Sequence, residues 1–383
     1  MNEISQKYGF PLFVDSVSRD YLLKSEKIRV TDIWGLWHYI IKTEKSRHPG
    51  STDYKFLLSL LEQAQYFYEA ALSAPIKSQP LLFYYSFLNF VKVILSIVYP
   101  YGAGQEFYHG VDSCKIDSAT KLKDTYITIK SFITPGRPTN KVSVAYWLSQ
   151  FQKDTIQFNP AMPAPYDNGP WKFSIIGLLQ SCIGIHRTVS ETLKRAETFV
   201  RVRELRLYKD ARDLSVIGGC EVNGKLQNQL IDAGYDIISH PDGTKTYKAV
   251  HHMNGAYLTK NDYLDFSLKI RKQGIWTYSD GNEFLYYISP QGFTKNPATD
   301  IYEIDYRTPG NSYQMLSSST IIYLIMFFLG SITRYHPYLF ESVLSDKEIW
   351  MVTEFLKTQP HQFIHTITSN FLTTKVLSSR MPK

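Results

Sequence analysis

In "FYYSFLNFVKVIL", residues 83 to 95, Tyr85, Ser86, Asn89 and Lys92 interrupt an otherwise apolar run. At about 100° per residue these positions and Ser96 share a strip about 120° wide, with Phe83, Leu88, Val91 and Leu95 elsewhere on the helix. Such a strip can line a cleft, where Asn supplies donors and an acceptor and Lys supplies a cation for phosphate or a developing oxyanion. The solvated side of a core helix accounts for the same pattern. A second group closes a helix. In "SITRYHPYLFE", residues 331 to 341, Pro337 stops an apolar helix and leaves Arg334, Tyr335 and His336 at its end. Basic residues there face the negative end of the helix dipole, a structural role that needs no ligand.

A third group lies in "FVRVRELRLYKDAR", residues 199 to 212. Arg201 and Arg203 alternate with Val200 and Val202, and Leu205 and Leu207 flank Arg206 after a one-residue slip at Glu204. Arginines along one side of a strand can track a phosphate backbone. The interspersed Glu197, Glu204, Asp210 and Asp213 favour a salt-bridged edge instead. His240, His251 and His252 fall in the same β-rich region, but adjacent histidines on a strand point to opposite faces and do not share a metal. No H-E-x-x-H, P-loop, G-x-S-x-G or G-x-G-x-x-G occurs. Neither a metal nor a cofactor is expected.

The elements that must position these residues can be read from periodicity. "VTDIWGLWHYIIKTE" predicts a helix with Trp34, Trp37 and Ile41 near one face. In residues 51 to 73, Phe56, Leu57, Leu60, Leu61, Ala64, Phe67, Tyr68 and Ala71 form a stripe, with Ser51 or Thr52 as the expected cap. "APIKSQP" breaks that helix at Pro75 and starts the next with Ser78 as N-cap and Pro80 in the first turn, giving an αα-hairpin. "YITIKSFI" reads as a strand, "FNPAMPAPYDNGPWKF" as a linker, and residues 173 to 198 as helix again. Asn223-Gly224, Asp242-Gly243 and Asp280-Gly281 each carry the signature of a two-residue hairpin turn. Helical periodicity returns at 315. The expected fold is α+β, a mainly helical bundle with an inserted β-hairpin-rich module. Its parts are residues 1–198, 199–310 and 311–383, the last packing on the N-terminal helices.

Bulk properties narrow the class. With 44% hydrophobic and 20% charged residues the 383-residue chain is an ordinary folding chain, not a disordered one. A net charge of +7 leans mildly towards anionic partners. Cys114, Cys182 and Cys220 are far apart and odd in number, which fits a reducing cytoplasm, and the N-terminus lacks the pattern of a signal peptide. Residues 81–98 carry Asn89 and Lys92 near their middle, and the apolar run 321–330 is short for the ~30 Å of a bilayer core, so both read as buried helices and no membrane association is expected.

"YEAALSAPIKSQPLLFYYSFLNFVKVIL", followed by "YHGV" at 108–111, resembles the front end of bacterial YaaC-like proteins. "MLSSSTIIYLIMFFLGSITRYHPYLFE" resembles that family's serine-led apolar helix ending in an Arg-Tyr pair. The resemblance covers roughly residues 50–115 and 310–370 and is weak across the middle. The hairpin also looks like HEPN-type helical domains, many of which are RNases or partners in toxin and antiphage systems. Their Arg-x4–6-His pattern is missing here. The resemblance implies a protein acting by binding a protein partner, another copy of itself or nucleic acid, in a defence or stress setting. The alternative is a metal-independent RNase, with His109 or His336 as general acid/base and Lys92 or Arg334 stabilising phosphate charge. The expected binding residues are Tyr85, Ser86, Asn89, Tyr335, Arg201, Arg203 and Arg206.

Overall fold

A computed structural model describes residues 2–3, 27–47, 53–98, 106–113, 121–130, 141–151, 171–195, 199–202, 204–209, 213–220, 236–239, 241, 245–252, 275–279, 284–288, 292–305, 316–372 and 375–378. After the short strands β1 (Asn2–Glu3) and β2 (Lys27–Val30) come three helices, α1 (Ile33–Arg47), α2 (Tyr54–Ser73) and α3 (Gln79–Val98). Asp32 starts α1, its Oδ1 accepting from the Trp34 and Gly35 amides at 3.0 Å each. α2 is capped just beyond the expected serine and threonine. Asp53 Oδ1 accepts from the amides of Lys55 at 3.1 Å and Phe56 at 3.2 Å. Leu57, Leu60, Leu61, Ala64 and Ala71 are buried as the stripe predicts, while Phe56, at the stripe's margin in the first turn, is 55% exposed. The Pro75 carbonyl accepts from the Ser78 amide at 2.8 Å and the Gln79 amide at 3.2 Å, which reverses the chain between α2 and α3.

The next stretch alternates short strands and helices: β3 (Glu106–Tyr108), β4 (Val111–Ser113), β5 (Tyr126–Ile129), β6 (Lys141–Ser143), α4 (Val144–Phe151), β7 (Trp171–Ser174), α5 (Ile175–Gln180) and α6 (His186–Leu193). The continuous helix expected over 173–198 is therefore a strand followed by two short helices. Ser174 Oγ accepts from the Gly177 amide at 3.0 Å and so starts α5 only there.

The β-rich region comprises β8 (Val200–Val202), β9 (Glu204–Lys209), β10 (Asp213–Cys220), β11 (Asp236–Ser239), β12 (Lys245–His252), β13 (Ile275–Ser279), β14 (Phe284–Ile288), β15 (Gly292–Lys295) and β16 (Ile301–Asp305). β9, β10, β12 and β11 are adjacent in that order, with β1 at the outer edge of β9, and β13, β14 and β8 form a second sheet. Two Asp-Gly signals fall between paired strands, but the registers Ser239 to Lys245 and Ser279 to Phe284 leave loops longer than two residues. Asn223-Gly224 lies outside the described residues. It follows β10, whose neighbours are β9 and β12, so no hairpin joins β10 to β11. The slip at Glu204 marks the point where the chain passes from one sheet to the other. A third sheet, in the order β15-β16-β7-β5-β4, joins strands from distant parts of the chain through the parallel pair β7 and β16.

Three helices and a strand complete the fold: α7 (Ser318–Tyr335), α8 (Pro337–Ser345), α9 (Ile349–Leu372) and β17 (Lys375–Ser378), which pairs in parallel with β2. α3 is the central element, packed against α2, α4, α7 and α9. The Phe87 ring stacks on Phe363 of α9 at 4.0 Å, and the Trp37 ring meets Phe90 at 5.0 Å and Phe371 at 4.9 Å. Trp37 Nε1 donates to Thr368 Oγ1 at 2.9 Å, satisfying the buried indole. α3 and α7 are both long and apolar enough to cross a membrane by length and composition. The helix containing residues 321–330 is thus longer than the apolar run suggested, and 67% and 72% of the respective windows lie inside the fold. The class is α+β with a mainly helical core. Phe87→Ala should lower the unfolding free energy in urea by about 3–5 kcal/mol, whereas Phe56→Ala should change it by less than about 0.5 kcal/mol.

Candidate functional site

The polar file of α3 divides: Ser86 and Asn89 are buried, while Tyr85, Lys92 and Ser96 are partly exposed. Ser86 is fully buried, and its Oγ donates to the Ala64 carbonyl of α2 at 2.7 Å. A small residue at 64 lets the helices approach closely enough for a side-chain hydroxyl to reach that backbone oxygen. Asn89, also buried, donates through Nδ2 to Gln63 Oε1 at 3.4 Å. These two groups therefore join α2 to α3. The remaining members diverge: Tyr85 turns to Arg334, and Lys92 contributes to the field at His109.

His109 and Gly110 occupy the point where the chain leaves the β3/β6 ladder and enters the β4/β5 ladder. Gly110 adopts φ +72°, and a Cβ there would fall 1.8 Å from Ser143 Oγ, so both conformation and space require glycine. The backbone is pinned on several sides. The His109 carbonyl accepts from the Ala145 amide at 3.1 Å and from the Tyr323 hydroxyl at 3.4 Å, and the Gly110 carbonyl accepts from the Lys130 amide at 2.9 Å. The imidazole stacks on Phe327 of α7 at 5.3 Å. Its Nδ1 accepts from the Val111 amide at 3.2 Å, so the neutral ring carries its proton on Nε2.

Opposing effects meet at this corner. Burial lowers the His109 pKa below 6.5 and outweighs Asp112, which raises it, while Lys130 and Lys92 lower it further. Lys130 and Asp112 form an ion pair. Burial also lowers the Lys92 pKa below 10.5. Behind His109, the Tyr84 and Tyr323 phenols share a hydrogen bond and are both pushed upward, chiefly by burial.

Arg334 and His336 belong to a different neighbourhood. Arg334 Nη1 donates to the Tyr85 hydroxyl at 3.2 Å, and the guanidinium lies 5.0 Å from the Tyr335 ring centre. Along α7, Arg334 is two turns, about 10 Å, beyond the Phe327 that carries His109. His336 is the joint between two helices: its amide donates to the Ile332 carbonyl at 3.0 Å and its carbonyl accepts from the Phe340 amide at 3.2 Å. The structure thus joins Tyr85 to Arg334 by a hydrogen bond, while Lys92 reaches His109 through its field, and the four expected catalytic residues do not form one site. Arg201 lies on β8 and Arg206 on β9, in different sheets, and Arg203 lies outside the described residues. His251 and His252 are successive residues of β12, and His240 lies outside the described residues. Among the described residues no group of three or more His, Cys, Asp or Glu can hold a metal.

Sequence reasoning missed Gly110, Ser143, Tyr323 and Phe327, which hold His109. The glycine after the histidine was the available signal. The aromatic residues of α7 give no sign of which element they face.

An α+β protein with a mainly helical core, its histidine loop clamped between two ladders and an apolar helix, is the class this fold defines. The model of the YaaC-like protein family matches residues 37–371, and the chain belongs to that family. The match runs from α1 to α9 and so spans the β-rich middle as well as the two expected ends. No curated protein and no solved structure matches the chain.

The depressed His109 pKa has a defined sign. The unfolded chain takes up the proton near 6.5 and the folded one resists it, so stability is full above 6.5 and falls as the pH drops through that value. His186, which burial and Arg187 push down to about 4, acts in the same direction over the window from 6.5 to about 4. Histidine ring NMR should give an Nε2-protonated His109 with a midpoint below 6.5 and a His186 midpoint near 4. A His109 midpoint above 6.5 would contradict the assignment.

Proposed function

We propose that this YaaC-like protein acts in the cytosol by binding a protein partner through the face around the α7–α8 junction. The observation that carries this reading is the cluster of Tyr335, 61% exposed, and Tyr338, 91% exposed, beside Arg334. Tyrosine and arginine left at the surface on a rigid helix end supply contact area and directed donors at little cost in conformational entropy. The Lys77–Glu341 ion pair ties α8 to the α2–α3 turn beside it. The separated cysteines support a reducing compartment. The HEPN-like character of the α2–α3 hairpin, and with it a defence or stress role, rests on resemblance alone.

A second reading is favoured by a different observation. His109 is held neutral, with its donor on Nε2 and Lys92 nearby, as a metal-independent RNase would need for acid/base work on a phosphodiester. In that reading Arg334 and His336 take no part in the chemistry.

The two readings separate in one set of experiments. Cross-linking and affinity capture of the full chain from its native cells should enrich a protein that is lost, by about tenfold or more, with Arg334→Ala/Tyr338→Ala. Capture unchanged by that double substitution would sink the surface assignment. A capture that disappears on nuclease treatment would replace the protein partner with nucleic acid. The purified chain is expected not to cleave single-stranded RNA, and cleavage abolished by His109→Gln would establish the second reading instead.

A further inference from the structure

We propose that Arg334 receives a side-chain carboxylate of the partner protein, an aspartate or glutamate set beside an apolar residue that packs on Tyr335 and Tyr338. The inference rests on the reading of the α7–α8 face as a protein-binding surface and deepens it, by naming the chemistry that the partner presents.

An arginine at a surface ordinarily samples many rotamers, and ordering it on binding costs affinity. Arg334 is exposed, yet two contacts hold it. Its Nη1 donates to the Tyr85 hydroxyl of α3 at 3.2 Å, and its guanidinium carbon lies 5.0 Å from the Tyr335 ring centre. Tyr85 is held in turn, its ring centre 5.6 Å from that of Phe67 on α2 and 5.3 Å from that of Tyr84. The guanidinium is therefore oriented before any partner arrives, while the phenol oxygen occupies only one of its N–H donors.

No acid of the fold takes the donors that remain. Among the described residues Arg334 forms no ion pair. The cause lies in the sequence: α3 and α7 contain neither aspartate nor glutamate, and the one acid of α8, Glu341, is held by Lys77. The helices that meet at this end thus leave one oriented cation unmatched, flanked by the exposed Tyr335 and Tyr338. A planar fork of N–H donors matches a carboxylate, which accepts parallel bonds from it. The tyrosine rings supply apolar contact area around such a pair. A nucleic-acid strand presents a row of phosphates and calls for a row of cations. Here Lys77 is already neutralised by Glu341, so a lone carboxylate on a protein is the better complement.

The test uses the full chain as bait for a displayed library of random dodecapeptides, with the Arg334→Ala/Tyr338→Ala chain as counter-selection. Binders that depend on the two side chains should carry an aspartate or glutamate next to an aromatic or aliphatic residue. As synthetic peptides they should lose about tenfold or more in affinity when that acid is replaced by its amide, and a comparable amount with Arg334→Gln. Tyr85→Phe removes the hydrogen bond that orients the fork and should weaken the same peptides about threefold or more, although Arg334 is still present. Each variant should melt as the wild type does, which separates lost recognition from lost folding. Binders without an acid, binders whose acid tolerates the amide, or a library without dependent binders overturn the proposal. So does a short single-stranded RNA that displaces the peptides, or a dimer of this chain that Arg334→Gln abolishes in sedimentation, since phosphate or a second copy is then the occupant. The underlying reading fails separately. Cellular capture sensitive to the double substitution, with no acidic binder, keeps the surface and removes the carboxylate. Acidic binders with an insensitive capture support the carboxylate site and remove the surface's role in the cell.

Discussion

A buried polar side chain has nowhere to turn except against a neighbouring element, and on the buried faces of α3 this decides how the helix sits. Leaving a buried hydroxyl or amide unpaired costs about 1–3 kcal/mol, so the positions of Ser86 and Asn89 dictate where α2 must lie. The Ser86 hydroxyl reaches the Ala64 carbonyl, and Asn89 reaches Gln63. A rotation of α3 by one residue, about 100°, would direct both groups at apolar neighbours and turn Phe87 away from Phe363. The polar pair thus fixes the rotation of α3, and the rotation fixes which apolar faces remain for α7 and α9.

From that setting the rest of the core follows. Tyr84 presents its ring to Tyr323 at 6.0 Å and to Phe327 at 5.2 Å, so α7 is seated by the side of α3 opposite its hairpin partner. Phe327 and Tyr323 in turn receive His109, one through its ring and one through its carbonyl. A rigid histidine loop is the result of two constraints acting together. The sheet switch at Gly110 sets the backbone, and α7 sets the ring.

Much of this was legible in the sequence, and the boundary of what was legible has a physical cause. Periodicity and capping chemistry are local, so α1, the α2–α3 hairpin and the helix ended by Pro337 could be placed from the residues themselves. The same periodicity put Tyr85, Ser86, Asn89 and Lys92 on one face, but it gives a direction without naming the neighbour. Where a cleft or a solvated side was expected, Ser86 and Asn89 form a seam with α2, while Tyr85, Lys92 and Ser96 stay partly exposed. Of the third sheet only β5 was read, as the strand in "YITIKSFI", and its pairing was not. Its strands are three to five residues long, and β7 pairs in parallel with β16 across the whole β-rich region. Asp-Gly signals marked turns within β11–β12 and β13–β14, but no local signal could say that β10 pairs with β12 instead of β11.

Lys92 and Arg334 look alike as cations on apolar helices, yet the fold treats them differently. Arg334 is exposed, bonded to the Tyr85 phenol and set against the Tyr335 ring, an arrangement with little desolvation to offset. Lys92 is half-buried, and its positive charge acts on His109 by favouring the neutral imidazole. One cation is thus held by aromatic groups at a helix end, and the other works through its field on a ring that Phe327 and the Val111 amide already fix in place.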